Sequence, residues 1–261
     1  MNIFALLKLV PDTVEELEIG GDGKSLDADV LRFKASDPDE HAVEQAILLK
    51  EKHGGTVTVV TMGPPQAAEA LKTCVAMGVD HTYLVSDRAF AGSDTWATSY
   101  TLSQAIKKIG KFDLILCGKQ AIDGDTAQVG PGIAEWLGLP QVTFVSKITM
   151  EGDKLKIERL LEEVNEVVEC PLPAVLTVVK QINEPRLPSL KGLMRAKKAE
   201  IKSLNAADIE GDPKNMGLNG SPTSVVRIFT PPAKGGGQIL SGEPEAIIDT
   251  LIGKLKERKT I

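Results

Sequence analysis

Three features of this 261-residue chain predict a doubly wound α/β fold with a mostly parallel sheet. Short apolar runs alternate with amphipathic stretches through the first half. The runs are almost continuously apolar, as strands covered on both faces must be. Each ends on Gly, Pro, Asp or Ser. Such alternation implies right-handed βαβ units with helices on both faces of the sheet. The runs are Asn2–Val10, Thr56–Thr61, Thr82–Val85 and Phe112–Cys117. Between them, Pro38–Lys52 places Ala42, Val43, Ala46, Ile47 and Leu49 on one helical face, opposite a polar face of Glu40, Glu44 and Lys50. Gln66–Met77 has the same pattern, and in Thr95–Ile109 the residues Leu102, Ala105, Ile106 and Ile109 keep helical spacing.

After Pro140 the pattern changes. Val142–Met150, Leu155–Leu160 and Val164–Glu169 alternate around a Gly152-Asp153 turn signal, as antiparallel strands do, and Pro173–Val179 is a further apolar strand. Asn183–Lys198 carries Pro185, Pro188 and Gly192 early and basic residues late, which predicts an exposed loop running into a short helix. From about Ser203 the chain is loop-rich, punctuated by AspPro, ProPro and GlyGlyGly. Only Pro244–Lys256 returns to helical spacing, through Ile247, Ile248, Leu251 and Leu255. A tail with so little core of its own is expected to lie on another surface.

Composition narrows the function classes. With 30 Lys+Arg against 36 Asp+Glu the net charge is −6, which argues against nucleic acid as the main partner. No run reaches the ~18 apolar residues of a membrane span, and the N-terminal stretch lacks the basic region and cleavage site of a signal peptide. Cys74, Cys117 and Cys170 are odd in number and widely separated, as reduced thiols in the cytoplasm are. His41, His53 and His81 are not spaced as metal ligands, and His41 and His53 read as solvated residues of a helix face and end. No GxSxG elbow or GxxxxGK[ST] loop is present. No residue is assigned a catalytic acid, base or nucleophile role, and no metal is expected.

Doubly wound sheets bind ligands at the carboxyl ends of their strands. Four segments should converge there: Leu6–Asp12, Thr61–Pro64 with Met62 and Gly63, Gly92–Thr95 with Asp94 and Thr95, and Cys117–Gly130. Small residues before helix starts let backbone amides approach an anion, and their joint placement points to a nucleotide. Asp123 and Asp125 read as turn residues, since two carboxylates without a third ligand rarely hold a cation. Lys8 reads equally as a phosphate partner or a surface charge.

At CGKQAIDGDTAQVGPGIAEWLGLPQ the sequence resembles the beta subunit of electron-transferring flavoproteins, and LLKLVPDT, LKTCVAMGVD, LPAVLTV and INEPRLPSLKGLMRAKKAEI match in order. The resemblance covers roughly residues 1–203. It implies a pseudo-Rossmann, adenine-nucleotide-binding domain over residues 1–203 and an extension over 204–261 that embraces an alpha subunit carrying a redox-active FAD. The expected cofactor-binding residues are Leu6, Lys8, Asp37, Met62, Gly63, Asp94, Thr95, Cys117, Gly118, Gln120, Asp123, Gly124, Asp125, Thr126, Ala127, Gln128, Val129 and Gly130. The resemblance further implies a partner-recognition loop over residues 183–198. There Leu190 would anchor in an acyl-CoA dehydrogenase-type partner, with Arg186, Lys191, Leu193, Met194 and Arg195 around it, an apolar knob in a charged rim.

Family members that hold AMP tend to have Asn-Gln-Thr where this chain has Ala127-Gln128-Val129, and AsnPro where it has Asp37-Pro38. Ala and Val leave only backbone donors. That departure, with Ser93–Ser99, is similar to the electron-bifurcating branch. The resemblance then favours FAD in the beta subunit, with NADH as donor and ferredoxin or flavodoxin as a low-potential acceptor; the alternative is a non-bifurcating subunit with a structural AMP. The other class of reading is a stand-alone nucleotide-binding or nucleotide-hydrolysing domain. It would need a Gly/Ser-rich phosphate loop after the first strand, where this chain has LVPDTVEE.

Overall fold

The computed structural model describes residues 1–12, 19–21, 23, 32–230 and 235–261. In chain order the elements are β1 (Asn2–Leu6), β2 (Leu9–Pro11), β3 (Phe33–Ala35), α1 (Asp37–His53), β4 (Thr56–Met62), α2 (Ala68–Met77), β5 (His81–Val85), α3 (Thr95–Ile109), β6 (Leu114–Gly118), α4 (Val129–Leu137), β7 (Gln141–Glu151), β8 (Lys154–Leu160), β9 (Asn165–Pro171), β10 (Ala174–Val178), α5 (Leu190–Lys198), β11 (Lys202–Leu204) and α6 (Pro244–Glu257). Among the described residues one nine-stranded sheet runs in the order β11-β5-β4-β1-β6-β10-β7-β8-β9. Pairing from β11 to β7 is parallel; β7–β8 and β8–β9 pair antiparallel, as the change of pattern after Pro140 predicts.

Burial follows the patterning. Ile3, Ala5, Val57, Val59, Leu114, Leu116 and Leu176 point to one face, where they pack with Ala42, Val43, Ala46 and Ile47 of α1 and Leu71 and Cys74 of α2. Their neighbours in the strands, Phe4, Val60, Ile115 and Val175, meet Leu102, Ala105 and Ile106 of α3 and Ile133 of α4 on the other face. Two apolar layers therefore clamp the sheet, the fold class that the continuous apolar runs require. Strand order reverses direction at β1: β4 and β5 build outward on one side, β6 and β10 on the other. The carboxyl ends of β1 and β6 form the topological switch point.

Three expectations are corrected. The run Asn2–Val10 is not one strand. The Leu7 amide still donates to Val60 O, but the Lys8 amide turns to a side chain of α1, and Leu9–Pro11 leaves to pair antiparallel with β3. Glu44 is not a solvated residue of α1; its side chain is 4% exposed because residues 183–187 lie across it. His41 is half-buried, its Nδ1 within 3.1 Å of Asn183 Oδ1.

The chain divides into two units, Met1–Val226 and Arg227–Ile261. Residues 204–226 belong to the first, with Ile209 and Met216 buried in the α3–α4 core. The second contains α6, whose Ile248, Leu251 and Ile252 are exposed. The ProPro pair at 231–232 lies outside the described residues. No helix among the described residues is long and apolar enough to cross a membrane.

Candidate functional site

A cavity of about 670 Å³ opens at the switch point, within the roughly 300–1,000 Å³ of small-molecule and cofactor sites. Its floor is the strand ends (Leu6, Leu7, Val60, Met62, Cys117, Gly118), and its walls are the turn before α3, the 118–130 loop and the start of α4. Of the expected cofactor residues, Leu6, Lys8, Met62, Asp94, Thr95, Cys117, Gly118, Gln120 and the run Gly124–Gly130 line it together. Asp37, Gly63 and Asp123 do not. Asp37 faces Lys34 in an exposed ion pair, and the Gly63 amide is spent on Val85 O in the sheet. Asp123 is held at the edge by Lys8, Nζ to Oδ2 2.6 Å. Lys8 thus ties the end of β1 to the 118–130 loop.

The central organiser is a residue that sequence patterning does not single out. Asp39, in the first turn of α1, is buried, and its two carboxylate oxygens each accept one amide: Lys8 N–H at 2.9 Å and Gly118 N–H at 2.9 Å. One side chain therefore bridges the ends of β1 and β6 and holds the cleft between them. Burial pushes its carboxyl up from the usual 3.8 to about 6, against the pull of those two donors. Gly118 makes the approach feasible: a Cβ there would meet Pro38 and Asp39 at 2.6–2.7 Å. Cys117, beneath, has its thiol pushed up by burial and is a neutral wall.

The two helix starts differ. At α3, Asp94 caps its own helix, Oδ1 accepting from the Ala97 amide at 3.0 Å, while Oδ2 accepts both the amide (3.0 Å) and the hydroxyl (2.8 Å) of Thr223. The Asp94 amide donates to Ser221 Oγ, 2.8 Å. Partial burial opposes ionisation of Asp94, yet the bonds from Ala97 and Thr223 outweigh it and hold the carboxyl below its usual range. Thr223, 129 residues from its anchor, and the nearby Val225 thereby become part of the cavity wall. At α4, Gln128 precedes the helix without capping it; its Oε1 accepts from Thr95 Oγ1 at 2.9 Å. The first-turn amides of Val129 and Gly130 are left without a side-chain cap at the cavity, a suitable place for an anionic group.

Ahead of α4, Asp125 and Ala127 adopt positive φ (51° and 54°), an uncommon conformation for non-glycine residues. Gln120 Nε2 donates to Asp125 Oδ1, and Asp125 N donates to Ala121 O at 2.8 Å, which supports the kinked path. Both carboxylates of the AspGlyAsp stretch are thus engaged, Asp123 by Lys8 and Asp125 by Gln120, and among the described residues no group of three acidic, His or Cys side chains gathers as a metal site.

In the expected recognition segment the charged and apolar residues part company. Leu190, Leu193 and Met194 are exposed, with Leu187, which carried no sequence signal of its own, at 90%. Lys191 is exposed too. Arg186 and Arg195 instead bind within the chain: Arg186 to Glu44 and Glu51, and Arg195 to the carbonyls of Val75 and Val79 at the end of α2.

Comparison with known proteins agrees with this architecture. The family model described as "Electron transfer flavoprotein domain" matches residues 27–209. The chain is 48% identical to the electron transfer flavoprotein subunit beta of Thermoanaerobacterium thermosaccharolyticum over 262 residues, covering 100% of each. It is 47% identical to the caffeyl-CoA reductase-Etf complex subunit CarD of Acetobacterium woodii, again covering 100% of each. It is 40% identical to the acryloyl-CoA reductase electron transfer subunit gamma of Anaerotignum propionicum, with the same coverage.

Proposed function

Because the chain belongs to the electron transfer flavoprotein family as a beta subunit, we propose that it holds FAD, rather than AMP, in the switch-point cavity and works in a heterodimer with a flavin-carrying alpha subunit. The pair takes electrons from NADH and divides them between a low-potential acceptor such as ferredoxin or flavodoxin and an acyl-CoA dehydrogenase-type enzyme. Two relatives are named for caffeyl-CoA and acryloyl-CoA reductases, which supports a partner of that chemistry.

The observation that carries the flavin reading is the makeup of the cavity wall. Ala127, Val129, Leu102 and Val225 present aliphatic surface, and four of the polar side chains at the wall are paired with one another, Thr95 with Gln128 and Gln120 with Asp125. A flat apolar ring asks for packing, and a diphosphate is served by main-chain donors. The residues fit such a group: the Val129 and Gly130 amides would meet phosphate oxygens, while the occupied carboxylates of Asp94 and Asp39 stay committed to the chain. When bound, the flavin supplies hydride acceptance and one-electron release, and the protein supplies orientation, exclusion of water and a tuned environment. Asp39 ties the strand ends at a fixed spacing. The Lys8–Asp123 pair and the Thr95–Gln128 bond fix the loop that closes over them. On this reading no side chain of the chain has to act as an acid or base.

Acid release of nucleotides from the purified heterodimer tests this reading. Two FAD per dimer and no AMP is the expected count; one FAD with one AMP refutes it.

A further inference from the structure

We propose that Glu44 and Glu51 of α1 are positioning residues for electron-partner recognition: through Arg186 they fasten the start of the exposed apolar segment Leu187–Met194. The inference rests on the reading of that segment as the docking surface.

Glu44 accepts from Arg186 Nε at 3.0 Å and 2.9 Å (Oε1 and Oε2), from Nη2 at 2.9 Å and from the Arg186 amide at 3.2 Å. Glu51, two helical turns on, takes the other edge of the guanidinium, Nη1 to Oε1 2.6 Å and Nη2 to Oε2 2.9 Å. One planar cation is thus clamped by two carboxylates 142 and 135 residues away in the chain. Such a forked arrangement fixes direction as well as position. Asn183 adds a second tether, donating to His41 O at 3.0 Å and Gln45 Oε1 at 3.3 Å. The far end of the segment is held separately. Gly192 sits so close to α2 that a Cβ would come within 2.0 Å of Ala76 O, and Arg195 binds Val75 and Val79 carbonyls.

Between these fastenings lie Leu187 and Leu190, 90% and 77% exposed. Apolar side chains displayed this openly would collapse or wander on a loose loop. Held at both ends, they meet a partner already in place, and the ordering cost at each encounter falls. The basic residues next to them therefore divide in role: Arg186 and Arg195 bind groups within the chain as fasteners, while Lys191, Lys197 and Lys198 are exposed as the charged rim.

The test uses the intact heterodimer and a flavin-dependent acyl-CoA dehydrogenase at varied concentration as electron partner. In Glu44→Gln the amide keeps the volume but loses the charge and presents a donor to Arg186. We expect KM for the dehydrogenase to rise on the order of tenfold with kcat little changed, the cost of ordering one or two mobile side chains per encounter. Amide hydrogen exchange over residues 183–189 should accelerate, and flavin content should match the parent. Glu51→Gln should give the same pattern, more weakly. If Glu44→Gln leaves KM and exchange unchanged while Arg186→Ala raises KM, Arg186 touches the partner directly and the positioning role is wrong. If Leu187→Ala and Leu190→Ala also leave transfer unchanged, the docking reading itself fails, a result separate from the first.

Discussion

Replacing Gly118 by alanine puts a methyl group where the fold has no room. The new Cβ would lie 2.6 Å from the Pro38 carbonyl carbon and 2.7 Å from Asp39 Oδ1, against the roughly 3.5–4.0 Å of an ordinary carbon contact. The first turn of α1 must withdraw by about 1 Å to restore van der Waals contact, and the Asp39 bridge between β1 and β6 stretches with it. Overpacking costs typically ~1–3 kcal/mol; with backbone as the obstacle the upper part of that range applies. For a chain of this size the melting temperature should fall by roughly 6–12 °C. Gly124→Ala is the matched control: it lines the same cavity, and nothing lies within 4 Å of the place its methyl group would take. It should shift the melting point by no more than about 2 °C. Thermal unfolding of the heterodimer, read by circular dichroism, gives the stability arm, and nucleotide released per dimer gives the site arm. We expect Gly118→Ala to lose nucleotide as well as stability. If both variants melt together and keep a full complement, the bridge does not hold the cleft and the reasoning is refuted.

Asp39→Asn probes the bridge by pH. Because the folded-state pKa of Asp39 lies above its unfolded value, the native protein binds the extra proton between pH 4 and 6, so its contribution to stability is greatest below that window and is lost as pH rises through it, on the order of 3 kcal/mol. Asparagine should abolish that slope, and because an amide cannot accept at both atoms it should leave one strand-end N–H unpaired; an unchanged slope in urea titrations at pH 4 and pH 7 would assign it to other groups. Asp94→Asn removes the acceptor shared by Thr223 N–H and hydroxyl, and should weaken nucleotide retention and hasten proteolysis near residue 223, with the fold intact by far-ultraviolet circular dichroism. Leu190→Ala should slow electron transfer to the dehydrogenase while the flavin spectrum stays the same; normal rates would remove Leu190 from the docking surface.

The central sheet was legible because its strands are buried on both faces and therefore spell themselves out as apolar runs, and Thr95–Ile109 emerged with the bounds its pattern predicts. What escaped was short or depended on distant partners. β2, β3 and β11 have three residues each, and their pairings are set by register with strands far away in the chain. The rim of the cavity was legible for a general reason: ligands gather where strands end and helices begin. Asp39 and Thr223 were not, since an aspartate after a proline looks like any helix start and a threonine in a loop-rich tail like any loop. Glu44 misled because helical periodicity sorts residues by face without saying what else covers that face. The same blindness made Arg186 and Arg195 look like rim charges, when their acceptors lie on α1 and at the end of α2.

The Asp94–Thr223 contact also sets an order of events in biogenesis. The strands that form the cleft leave the ribosome first, and its last wall is contributed by Thr223, translated 129 residues after Asp94. A nascent chain can assemble β1, β4 and β6 and still present an open-sided groove, which is walled only after Thr223 has emerged.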